Sequence, residues 1–153
     1  MRRASLTLAA LATCTTIALA YVGVSKGATE HRFINYPDRS DDRPYSNAVL
    51  AGNTLYLAGE IGIDPETGAP PDDVEAEIRL VMDSMKQRLE MEGMSMDDLV
   101  MVQVHCPDLS LYDDFNAVYR TYFGDHFPAR AFLGSGPLLA GGRFEVLGVA
   151  VKP

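Results

Sequence analysis

Arg130 and Glu145 are the residues of this chain best placed to do chemistry on a small polar molecule. Both lie in the stretch 127–151, FPARAFLGSGPLLAGGRFEVLGVAV. Pro128 biases Phe127 toward extended backbone and stops any preceding helix, so Arg130 opens a strand or a loop. Glu145 alternates with Phe144 and Val146, which puts it on the face shared with Leu147, Val149 and Val151. A carboxylate in that company is costly unless it sits at a strand end, is paired, or faces a polar cleft. A guanidinium and a carboxylate on neighbouring strands would make a small anion-binding, water-activating site. A structural ion pair, or two solvated groups, is the competing reading of the same two residues.

The other reactive side chains point to packing. Cys106 closes the apolar run V-M-V-Q-V-H-C and reads as a small buried hydrophobe, with no histidine spaced to activate it. His105 falls on the other face of that run, with Met101 and Gln103. Neither His31 nor His126 has a ligand partner at metal spacing, so no metal site is expected. Met82, Met85 and Met91 read as core filler.

The elements that would position Arg130 and Glu145 follow from periodicity. Residues 45–51 and 54–58 are short apolar runs split by Gly52-Asn53, a hairpin signal because both residues tolerate positive φ. Asp64-Pro65-Glu66-Thr67-Gly68 is a turn by composition. Asp72 can cap a helix with Glu75 three residues on, and Val74, Ile78, Val81, Met85 and Leu89 recur at helical spacing until Gly93. After a short turn at 95–99 comes a strand over 100–106. A second helix carries Leu111, Phe115, Val118, Tyr119 and Tyr122, closed by Gly124, with Asn116 on it. Strands at about 131–134 and 143–151 finish an α+β chain with one sheet and two long helices. Two helices cover one face of such a sheet, yet residues 100–104 and 144–151 are apolar on both faces. Another copy of the chain is the economical cover.

The 153 residues suggest one domain behind a separable opening. Arg2 and Arg3 precede an uncharged apolar run over 4–24, and Ala18-Leu19-Ala20 has the small-x-small form of a signal-peptidase site. Residues 1–20 read as an export signal. The run to about residue 24 is also long enough to span a bilayer as an uncleaved anchor, and lipid attachment at Cys14 is disfavoured by Thr13. Each version puts the folded part outside the cytoplasm, periplasmic or secreted, with membrane attachment only if the leader stays. Residues 21–43 form a connector with a short first strand near 32–34, and 44–153 the main domain. Without the leader Cys106 is the only cysteine, so no intramolecular disulfide is available. The formal charge of −8 falls by two, to −10, once Arg2 and Arg3 are removed. That balance repels phosphate backbones and argues against nucleic acid as a partner.

At this point the chain resembles the Rid/YjgF family of imine deaminases. Arg43-Pro44-Tyr45-Ser46-Asn47-Ala48-Val49 is similar to the family's Gly-Pro-Tyr-Ser-Gln-Ala-Val, and Leu57-Ala58-Gly59-Glu60-Ile61 to its Ser-Gly-Gln-Ile stretch. The Asp64–Gly68 turn matches Asp-Pro-x-Thr-Gly. Phe115-Asn116-Ala117-Val118-Tyr119 with Tyr122-Phe123 matches Val-Asn-x-x-Tyr-x-x-Phe-Phe. Pro128-Ala129-Arg130 matches Pro-Ala-Arg, and Phe144-Glu145-Val146 stands at Val-Glu-Ile. The pieces keep their order from about residue 33 to 151.

The resemblance implies a chorismate-mutase-like (YjgF-type) fold, a single mixed sheet with two helices on one face. It implies a homotrimer with sheets inward, helices outside and a site in each intersubunit cleft. It also implies cofactor-independent hydrolysis of reactive 2-imino or enamine acids to 2-oxo acids and ammonia. Arg130 would grip the substrate carboxylate and Glu145 would handle the protons of water and leaving nitrogen. Gly59 would offer backbone groups, while Tyr45, Ala58, Asn116 and Phe132 would shape the pocket. Ala58 and Glu60 stand where serine and glutamine are usual, and Phe132 where a small residue is common. Leu138-Leu139 replaces the usual Leu-Pro, and Leu147 a second glutamate. The altered pocket and the leader motivate the alternative, a non-catalytic small-carboxylate-binding or protein-interaction trimer of the same fold. A nucleic-acid-directed activity is disfavoured by the charge.

Overall fold

Residues 30–37, 39 and 42–153 are described by a computed structural model. The leader and its alternative as an anchor lie outside the described residues, among which no helix is long and apolar enough to cross a membrane. Six strands and two helices follow in the order β1 (His31–Ile34), β2 (Ala48–Ala51), β3 (Thr54–Ile61), α1 (Val74–Glu90), β4 (Leu99–Cys106), α2 (Tyr112–Tyr119), β5 (Ala129–Gly134) and β6 (Glu145–Val151). The strands form one sheet ordered β1-β2-β3-β6-β4-β5. Only β4 and β5 run parallel, with α2 in the crossover between them.

The hairpin turns at Gly52, whose φ of 64° is open to glycine without steric cost. Helix α1 is capped by Asp73, one residue later than the sequence suggests, its side chain accepting from the Glu75 backbone N–H at 3.2 Å. Its stripe of Ile78, Val81, Met82, Met85 and Leu89 is fully buried. Helix α2 is regular for eight residues and is extended at both ends by tighter turns, Leu109–Leu111 and Arg120–Tyr122. Phe115, Val118 and Tyr119 are its buried side.

Both helices pack on the same face of the sheet, over Leu55, Leu57, Val102, Val104, Val146 and Ala150. Cys106 is buried there too; its thiol donates to the Asp108 carbonyl at 3.0 Å, and burial pushes its pKa up. The opposite face is apolar and open in the single chain. One row across it reads Phe33, Val49, Tyr56, Val149 and Met101 along successive strands. Phe33 is 67% and Tyr56 51% exposed, so this face has no cover among the described residues.

Candidate active site

Arg130 is placed by the parallel β4–β5 pair. It stands opposite Val102, which in turn stands opposite Gly148, so its side chain belongs to the helix-covered face at the sheet edge. Asn116 and Tyr119, three residues apart on α2, reach the same spot. Arg130 Nη2 donates to Asn116 Oδ1 at 2.7 Å, and the guanidinium carbon lies 4.5 Å from the centre of the Tyr119 ring. The rings of Tyr112, Phe115 and Phe132 stand at 5.8–5.9 Å. This aromatic collar holds the charge by its ring faces and restricts the rotamers of a long side chain. In front of it is a small opening of about 180 Å³ lined by Asn116, Tyr119, Arg120, Phe127, Pro128 and Arg130. The Tyr119 hydroxyl is buried with no hydrogen-bond partner among the described residues. Burial pushes its pKa up to about 12 against the opposing pull of Arg130. Phe132 packs edge-on against Tyr112 and Phe115, at 5.0 and 5.5 Å, so it backs Arg130 and lines neither opening.

Glu145 is placed at the first residue of β6, opposite Ile61 on one side and His105 on the other. That row lies on the open face. The β3–β6 register slips between Leu57 and Glu60, and this bulge carries Ala58 and Gly59 past the carboxylate. A Cβ built on Gly59 would overlap Glu145 Oε1 and lie 3.0 Å from the carboxyl carbon, so only glycine permits the approach. Glu145, Gly59, Ala58 and Tyr45 line a second, larger cleft of about 800 Å³. Tyr45 is carried by the loop before β2. Arg39 braces that loop by donating to the carbonyls of Arg43 and Tyr45 and to the side chains of Asn35 and Asn47.

Two buried charges hold this cleft in shape. Arg88 of α1, 2% exposed, donates to the Ala58 carbonyl at 2.9 Å and to Tyr36 Oη at 3.0 Å, and pairs with Glu60. The extra negative charge at position 60 is therefore answered from behind the wall. Glu77, also on α1, accepts from the backbone N–H groups of Arg143 at 2.6 Å and Phe144 at 3.3 Å, and pairs with the Arg143 side chain. It thereby pins the chain immediately before Glu145. Sequence reasoning missed both residues. Their signal is a charge on the buried stripe, Glu77 beside Ile78 and Arg88 beside Leu89, where a carboxylate or guanidinium needs a partner.

One expectation is corrected by the topology. Arg130 and Glu145 are not on neighbouring strands: β4 lies between β5 and β6, and the two side chains occupy opposite faces of the sheet. Each therefore lines its own opening, Arg130 with Asn116 and Glu145 with Tyr45, Ala58 and Gly59. Among the described residues no three His, Cys, Asp or Glu side chains converge as a metal site would need.

Comparison with known proteins agrees with this fold. The family profile described as Endoribonuclease L-PSP matches residues 39–152. A RutC family protein of Pyrococcus horikoshii is 37% identical over 110 residues, covering 71% of this chain and 87% of that one. The 2-iminobutanoate/2-iminopropanoate deaminase of Bos taurus is 34% identical over 110 residues, covering 71% and 80%. Among solved structures, the YjgF gene product of E. coli superposes with a TM-score of 0.72 at 30% identity, covering 80% of this chain and 99% of its own. The match runs through β2, both helices and the strands that carry Arg130 and Glu145, and on that ground the chain belongs to the Rid/YjgF family, whose profile bears the name Endoribonuclease L-PSP.

Proposed function

We propose that this protein hydrolyses reactive 2-imino and enamine acids to 2-oxo acids and ammonia without a cofactor, and that it does so as a homotrimer. The observation that carries the reading is the Glu145 carboxylate laid against the Gly59 backbone in an open cleft. Among the described residues the guanidinium groups of that cleft, Arg39 and Arg43, belong to the loop before β2, and none comes from the sheet face that carries Glu145. The complementary group, Arg130 with Asn116, waits at a different opening of the same chain. A ring of copies, each covering its neighbour's open sheet face, would set Arg130 of one copy across from Glu145 of the next.

In that seam Arg130 takes the substrate carboxylate through a two-pronged, charge-assisted contact, and Asn116 and Tyr119 fix its angle. The protonated imine carbon is electrophilic. Glu145 takes a proton from water as the C–O bond forms, giving a carbinolamine. Glu145 then passes that proton to nitrogen, the C–N bond breaks as ammonia leaves, and the hydroxyl proton returns to Glu145 as the carbonyl forms. The relatives named as deaminases support this reading. Under the family's ribonuclease description the chain would meet a polyanion, which a formal charge of −8 repels.

The test generates an imino acid in situ with an amino-acid oxidase and follows release of the 2-oxo acid. Wild type accelerates it, and Arg130→Ala and Glu145→Gln each lower the acceleration by about 10²-fold or more. Equal rates in wild type and both variants would leave the non-catalytic trimer as the better reading.

A further inference from the structure

The Glu145 cleft is lined by two guanidinium groups that a monocarboxylic substrate held by Arg130 would not need. Besides Gly59 and Glu145 its lining includes the loop carrying Arg39, Arg43 and Tyr45. Of the two carboxylates in the lining, Glu60 is engaged by the buried Arg88, which leaves Glu145 and the two guanidinium groups of the loop as its other charged groups. They are not equivalent. Arg39 is committed to four acceptors of the loop itself, Asn35, Asn47, Arg43 and Tyr45. Arg43 is exposed, and its contact to Tyr45 Oη is long, 3.4 Å, at the limit of a hydrogen bond. An incoming carboxylate would displace that contact in favour of a shorter, charge-assisted one. Arg43 also stands at the glycine of the Gly-Pro-Tyr-Ser stretch that residues 43–46 resemble, so the cation is a feature of this chain and not of that motif. The cleft, about 800 Å³, has room beyond the few atoms of a small aliphatic imino acid.

We propose that Arg43 is a second anion subsite, and that the preferred substrates are dicarboxylic 2-imino acids of four or five carbons. These are the imines formed when amino acids with acidic side chains are oxidised. The inference rests on the deaminase reading above and assigns the far end of the same site. The 1-carboxylate sits on Arg130 of the neighbouring copy and C2 beside Glu145. The side-chain carboxylate reaches Arg43, whose position Arg39 fixes through the carbonyl between them. Water adds at C2 and ammonia leaves, so the product is a 2-oxo dicarboxylate and no other reactant is needed.

The experiment compares imines made in situ from aspartate and from alanine with the matching oxidases, and reads the ratio of kcat/KM for the two. Wild type favours the dicarboxylic imine by about tenfold or more, and Arg43→Gly brings the ratio down by about the same factor. A wild-type ratio at or below one, or a ratio unchanged by Arg43→Gly, overturns the subsite while leaving the deaminase reading intact. Turnover of neither imine defeats the deaminase reading, and calorimetry then decides the subsite separately. Wild type should bind 2-oxoglutarate about tenfold tighter than 2-oxobutanoate, with the difference lost in Arg43→Gly. Equal binding of the two acids by wild type would overturn it.

Discussion

The Glu145 carboxylate lies against the Gly59 backbone with no room for a methyl group between them. Gly59 is itself exposed and its obstacle is the end of a flexible side chain, so a Cβ there would push the carboxylate aside and spare the fold. Gly59→Ala should therefore cost about 10²-fold in kcat through misplacement of the acid, with stability changed by no more than about 0.5 kcal/mol. A variant with unchanged kcat, or one that fails to fold, would contradict this placement. At this scale much was legible in the sequence. Arg130 and Glu145 stand out by type, and alternation fixed the face of Glu145. Their relation was not legible, because it depends on which strand comes between them, and strand order is a long-range property. Phe132 shows the same limit: its place two residues after Arg130 says nothing of its turn toward Phe115.

The elements are held in register by charges that periodicity treats as interruptions. Glu77 ties α1 to the start of β6 through two backbone N–H groups and the Arg143 side chain. Glu77→Ala takes the acceptor from the buried Phe144 N–H and the half-buried Arg143 N–H, while the Arg143 side chain keeps the Pro71 and Asp72 carbonyls, and should lower stability by about 2 kcal/mol in denaturant unfolding. It should also reduce kcat, since the backbone entering Glu145 is no longer fixed; a fully stable, fully active variant would refute the lock. Helix α2 and the turn after it carry a different signature. Burial pushes Tyr119 up to about 12, and burial together with the hydrogen bond to Asp83 raises Tyr122 to about 12. For both phenols the folded form binds its proton more tightly than the unfolded chain does, whose pKa is near the ordinary value of 10.0. Their contribution is complete below pH 10 and is lost as pH rises toward 12. Ultraviolet titration should show Tyr119 and Tyr122 ionising late, and alkaline unfolding should set in across that window. Tyr119→Phe should remove one phenol from the late-ionising amplitude; if that amplitude is unchanged, the assignment fails. The helices and strands themselves were readable from their spacing. The one-residue shift of the α1 cap to Asp73 was not, because Asp72 and Asp73 are both competent caps and the choice is made by Arg143, which takes the Asp72 carbonyl at 3.0 Å.

On the scale of the whole molecule, the uncovered sheet face and the divided site point to the same arrangement. The apolar row from Phe33 to Met101 needs cover, and Arg130 and Glu145 need a second chain if they are to serve one substrate. The need for cover was readable from strands apolar on both sides, whereas the division of the site became visible only with the strand order. The most direct measurement is complementation between two inactive variants. Arg130→Ala and Glu145→Gln are unfolded together in equal amounts, refolded, and assayed for release of 2-oxo acid from an imine made in situ. If each site takes Arg130 from one copy and Glu145 from the next, random mixing restores about a quarter of wild-type activity, because that share of the seams has both groups intact. If the mixture stays as inactive as either variant alone while forming mixed oligomers, the two residues do not share a site across copies, and the account is wrong.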